Sequence, residues 1–112
     1  MASKGVLYLL LSGPANTAHA LELLRLAESQ AGLGDHGVAM LLQGDGVEWL
    51  AEGASSEAQA ALQVVSELGG GVFACSHSLA ERGVVPALQV HEAHAPRRIS
   101  QAVAHGWQVI SG

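Results

Sequence analysis

The chain has 112 residues, of which 49% are hydrophobic and 13% charged, and its formal charge is −5 at neutral pH. That length and composition predict one core-bearing domain spanning 1–112 and exclude a disordered chain. The acidic balance, in which Arg97 and Arg98 are the one adjacent pair of cations, argues against direct nucleic-acid binding, which needs clustered cations to neutralise phosphates.

The first element is the apolar run Val6–Leu11, closed by Ser12-Gly13-Pro14. Such a run reads as a strand buried on both faces. Asn16 or Thr17 is placed to cap the helix that follows, since a short polar side chain satisfies the open N–H groups of a first turn. In that helix His19, Glu22, Arg25 and Ser29 form a polar stripe, and Ala20, Leu23, Leu24, Ala27 and Ala31 form the apolar one. Gly32 and Gly34 are expected to end it. A second buried run, Val38–Leu42, closes at Gly44-Asp45-Gly46, and Val47–Ala51 reads as a helical turn.

Ser56-x-x-Gln59 matches a capping box. The helix behind it carries Ala58, Ala61, Leu62, Val65 and Leu68 on one side, and Gly69-Gly70-Gly71 breaks it. The strand Val72–Ala74 then leads through Cys75 into a short helix, Ser76–Arg82, ended by Gly83. Leu88–His91 reads as a fourth strand. Pro96 suits the first turn of a last helix with Ile99, Ala102 and Val103 inward, and Trp107–Ile110 is the fifth strand. Short apolar strands alternating with amphipathic helices predict an α/β fold, three-layered α/β/α, on a mostly parallel sheet.

In such a sheet the functional loops gather at the carboxyl ends of the strands. The loop after the first strand lacks the glycine signatures of dinucleotide and phosphate-binding loops, and no serine-hydrolase elbow occurs. Cys75 is the one cysteine, so there is no internal disulfide, and a reducing, cytoplasmic setting is expected. No run is long enough for a membrane span or a secretory core. A thiol at a strand end, facing the open N–H groups of the next helix, is biased toward thiolate. His77 is a candidate proton donor or second cation beside it, and Arg82 helps if the chain folds it back. The plainer alternative is a packed, inert thiol, because free cysteine is among the most buried residue types. His91-x-x-His94 with His105 and Cys75 is the nearest approach to a metal set. It lies in a strand-to-loop segment without a second cysteine, so no metal is expected. Asp45 between two glycines reads first as a turn residue. The sparse charge is consistent with surface covered by other subunits.

The spacing Cys75-x6-Arg82-Gly83-Val84 resembles the cysteine motif of the DsrE/TusD (DsrE/DsrF-like) sulfur-relay family. In order along the chain, Leu9–Pro14 resembles that family's first strand and loop, Leu42–Val47 its second strand and acidic-Gly-Val turn, and Trp107–Ile110 its last strand. The resemblance implies a DsrE-like domain with a five-stranded parallel sheet. It also implies assembly as a trimer or hexamer, or as a hetero-oligomer with sister subunits, and sulfur exchange with a carrier protein of the TusA or DsrC kind. Cys75 would carry sulfane sulfur as a persulfide without metal or organic cofactor, with His77, Arg82, Gly44 and Asp45 binding substrate or shaping the site. In a non-catalytic assembly or binding subunit of the same family, Cys75 would be structural.

Overall fold

The computed structural model describes residues 4–33, 37–69 and 71–112, and the side chains of all of these but 16–18. The strands are β1 (Gly5–Leu10), β2 (Gly37–Leu42), β3 (Gly71–Cys75), β4 (His91–Ala93) and β5 (Gln108–Ser111). The α-helices are α1 (Thr17–Leu33), α2 (Ser56–Leu68), α3 (Ser76–Arg82) and α4 (Ala95–Ala104), and a 3-10 segment, Gly44–Leu50, follows β2. The sheet has five strands in the order β4-β3-β2-β1-β5, and every neighbouring pair is parallel.

Strand order sets the layers. From β1 to β4 the chain steps across the sheet in one direction, and then α4 carries it back to the opposite edge. Right-handed crossovers therefore put α1 and α2 on one face and α4 on the other. Alternation along each strand divides the core accordingly. Val6, Tyr8, Leu10, Val38, Met40 and Leu42 pack with α1 and α2. Leu7, Ala39, Leu41 and Cys75 pack with Ala95, Ile99 and Ala102 of α4. The central strands are buried on both faces, so they read as continuous apolar runs. All five apolar residues expected on α1 are buried, each leucine among them contributing about 1.5–3 kcal/mol. The Tyr8 hydroxyl donates to Gln30, and Arg25 bridges to Glu57 across the two helices.

Several boundaries differ from expectation for local reasons. β1 ends at Leu10, where its pairing with β2 stops: Leu10 pairs with Leu42, and the Gln43 N–H donates to the Leu10 carbonyl at 3.0 Å. The cap of α2 is Ser55, whose Oγ accepts from the Ala58 N–H at 3.2 Å. Gln59 reaches instead to the carbonyls of Ala51 and Trp49, at 2.9 and 3.3 Å. The fourth strand is His91–Ala93 rather than Leu88–His91, since Leu88 and Val90 pack outside the sheet against the α1–α2 core. Val103 is 62% exposed and Leu68 61% exposed. The inward stripe of α4 runs from buried Ala95 to partly buried Ile99 and Ala102, and one further residue rotates Val103 off it. Leu68 is the last residue of α2. α1 runs through Gly32 to Leu33. The expected caps at Asn16 and Thr17 lie outside the described side chains, and Gly34 and Gly70 outside the described residues.

Candidate functional site

Because all strands run the same way, the loops after β1, β2, β3 and β4 meet along one edge. Cys75 is the last residue of β3 and the N-cap of α3. It pairs in register with Ala93 of β4, and α4 starts at Ala95. Two helix N-termini thus converge on one sulfur. The hydroxyl of Ser78 and the backbone N–H groups of Ser78, His77 and Ala95 all face it.

The sulfur lies outside the geometry of a formal N-cap bond, so these donors act on it as a converging field of partial positive charge. Burial is the largest single influence and pushes the thiol's pKa up; the four donors together outweigh it and hold the thiol below its ordinary range. The net shift is toward the thiolate. The thiol is nonetheless covered: Cys75 is 6% exposed, because it ends the strand beneath the start of α4, in one apolar cluster with Leu41 and Ala95.

The loop after β2 buttresses this arrangement. The Gly44 N–H donates to Ser78 Oγ at 2.9 Å, and Ser78 is buried. With one lone pair committed to Gly44, the Ser78 proton is available to the sulfur. The loop is seated tightly on β1, since a Cβ on Gly46 would lie 2.0 Å from the Leu10 carbonyl oxygen. Arg82 donates to Asp45 Oδ1 from Nε and Nη2, at 3.1 and 3.0 Å, and to Glu81 Oε1 at 2.8 Å. The ion pair tethers α3 to the β2 loop, although exposed pairs of this kind add little stability. Gly83 ends α3 at φ 61°, a left-handed cap that glycine adopts without penalty.

Of the residues singled out from sequence, Gly44, Asp45 and Arg82 are thus brought together beside α3. The His77 side chain is 84% exposed and faces Glu81, with Nε2 3.4 Å from its Oε2. Its contribution to the sulfur is its backbone N–H, not the imidazole. His91 stacks on Phe73 with ring centroids 5.3 Å apart, and His105 Nδ1 binds the Gln101 carbonyl at 2.8 Å. Among the described residues no three His, Cys, Asp or Glu side chains come together as a metal set.

Sequence reading missed Ser78 and Ala95. Ser78 stands three residues after the cap, where a capping-box partner reaches back, so its signal was present. Ala95 meets the sulfur only through the pairing of β3 with β4, which no local pattern encodes. A Ser78→Ala variant is expected to lose about 1–3 kcal/mol in urea unfolding, because it orphans the Gly44 N–H, and to titrate Cys75 at higher pH than the parent.

The model of the DsrE/DsrF-like family matches residues 4–111. No curated protein matches the chain. Among solved structures, the ychN protein of E. coli superposes with a TM-score of 0.74 at 17% identity, over 96% of this chain and 99% of that one. A conserved protein of unknown function from Bacteroides thetaiotaomicron gives 0.73 at 17% identity, covering 96% and 94%. A protein of unknown function from Methanobacterium thermoautotrophicum gives 0.73 at 16% identity, covering 99% and 100%. Likeness at these identities establishes a common fold.

Proposed function

The chain belongs to the DsrE/DsrF-like family, and from that premise we propose that Cys75 is a sulfur carrier that takes sulfane sulfur as a persulfide and yields it to an acceptor thiol. The observation that carries this reading is the convergence of N–H donors and the Ser78 hydroxyl on one sulfur. Thiol–persulfide exchange needs a thiolate nucleophile and a good leaving group. In the loading step, Cys75–S⁻ attacks the outer sulfur of a donor R–S–SH. The donor's S–S bond breaks, Cys75–S–SH forms, and R–S⁻ leaves. In the unloading step an acceptor R′–S⁻ attacks the outer sulfur, giving R′–S–SH and returning Cys75–S⁻. Neither step changes the overall oxidation level, so no metal or organic cofactor is called for. The donors that favour the thiolate also make it a better leaving group in the second step.

Gly44, Asp45 and Arg82 would shape the loop that holds Ser78. The chain would act as one DsrE-like domain in a reducing, cytoplasmic setting. No helix among the described residues is long and apolar enough to cross a membrane. Members of the family form oligomers, and this chain would assemble with itself or with sister subunits. Exposed Leu11, Val85 and Val103 supply apolar surface for that contact. The donor or acceptor would be a carrier protein of the TusA or DsrC kind, whose docking would have to open the covered sulfur.

The test is mass spectrometry of the folded protein after treatment with polysulfide. One added sulfur atom on Cys75, removed by a reducing thiol, is the expected result; no uptake by protein that remains folded would overturn the proposal. A second reading, a non-catalytic binding subunit with a structural Cys75, is favoured by the thiol's low exposure. It predicts alkylation of Cys75 only after unfolding.

A further inference from the structure

We propose that the cleft between α4 and the sheet binds a small amphipathic anion, an apolar ring or short chain carrying one carboxylate or sulfonate group. The cleft has a volume of about 330 Å³, within the range of small-molecule sites. Its floor is Leu7, Ala39 and Phe73, which project from β1, β2 and β3 on the face that carries α4. Ala39 is the reason a hollow exists, since a short side chain stands beside Leu7 in register.

The charge at this cleft is the reverse of the molecule's. The chain is acidic overall, at −5, yet the cleft is lined by Arg98 and by no aspartate or glutamate. Among the described residues the ion-paired cations are Arg25 and Arg82, and Arg98 is not one of them. Its guanidinium lies 3.7 Å over the centroid of Phe73. A cation–π contact holds the plane of the group and leaves its N–H edge for an oxyanion. An acidic protein that parks an arginine on an apolar floor, outside the ion pairs of the described residues and with no carboxylate in the lining of this cleft, favours an anionic ligand with an apolar body over a neutral one.

Trp107 closes the cleft and is fixed in place. Its indole lies flat on Gly5 and Gly37, where an added Cβ would come within 2.7 and 2.8 Å of the ring. It therefore serves as a stationary reporter. Cys75 is not part of this lining, so the proposal stands or falls apart from the sulfur chemistry.

The experiment is a nitrogen-15 NMR titration of the full chain with phenylbutyrate, read at the indole N–H of Trp107, with phenylbutanol as the neutral twin. The expected result is a saturable shift at Trp107 and none at the buried Trp49. Phenylbutanol and the Arg98→Met variant should each bind about tenfold or more weakly, the effect of losing one charge-assisted hydrogen bond, while Arg98→Lys recovers part of the loss. Equal affinity for the alcohol, indifference to Arg98→Met in a protein with an otherwise unchanged spectrum, or no saturable Trp107 response would overturn the proposal. So would a Trp107 signal that shifts with protein concentration alone, which would assign the cleft to a second copy of the chain.

Discussion

A Cys75→Ser variant is expected to fold like the parent and to take up no sulfane sulfur. The loss should be complete rather than partial, because the chain holds no other cysteine and a serine hydroxyl neither ionises near neutral pH nor forms a persulfide. The fold should survive for a separate reason. Position 75 is the N-cap of α3, serine is among the preferred N-cap residues, and it is close in volume to cysteine. Intact protein mass spectrometry, after polysulfide treatment and in parallel with far-ultraviolet circular dichroism, makes the check. Sulfur stably added to the serine variant would place the carrier atom elsewhere and contradict the account.

The second large effect is on stability. Replacing Trp49 by alanine should cost about 3–5 kcal/mol in urea unfolding, the range for removing a large buried aromatic side chain. Trp49 is 1% exposed, packs in the α1–α2 core, and donates from Nε1 to the Ser12 carbonyl at 2.7 Å. It thereby joins the 3-10 segment after β2 to the loop after β1. Trp49→Phe keeps most of the apolar burial and loses the hydrogen bond, so its cost should be near the roughly 1–3 kcal/mol of an unsatisfied buried carbonyl. Because the same segment begins at Gly44, which holds Ser78, loosening it should also raise the pH at which Cys75 ionises. A wild-type midpoint in Trp49→Ala would separate the β2 loop from the sulfur.

Much of the fold was legible because its signals are local. The runs at Val6 and Val38 are buried on both faces, so hydropathy alone marks them. The apolar stripe of α1 follows helical periodicity residue for residue, and α3 with its Gly83 cap has the bounds expected from Ser76, Arg82 and Gly83. Edge elements were less legible. β4 is short and exposed, so nothing apolar announces it, while the apolar Leu88 and Val90 beside it belong to a different layer. Val103 was misplaced because a four-residue helical spacing and its neighbour are hard to separate in a helix of ten residues.

At the site, the position of Cys75 between strand and helix could be read directly. One of its four donors, the Ala95 N–H, could not. Ala95 is twenty residues away along the chain by the numbering of the two residues and reaches the sulfur only through strand pairing. The side chain of His77, attractive in sequence as a titratable group, turns out to solvent, and its useful group is the one every residue carries. The covered state of the thiol was also invisible, because burial at a strand end depends on where the next crossover begins.

The central claim is that folding lowers the pKa of the Cys75 thiol. The most direct measurement is the pH dependence of thiolate ultraviolet absorption, in the folded protein and in the same protein unfolded in urea, with Cys75→Ser as the blank. A thiol whose pKa is lowered by folding stays mostly ionised down to its folded midpoint and loses its charge as pH falls through it, whereas the unfolded chain loses its thiolate near the ordinary value of about 8.5. The account predicts a folded midpoint below the unfolded one. A folded midpoint equal to or above it would mean that burial outweighs the surrounding donors, and would contradict the account.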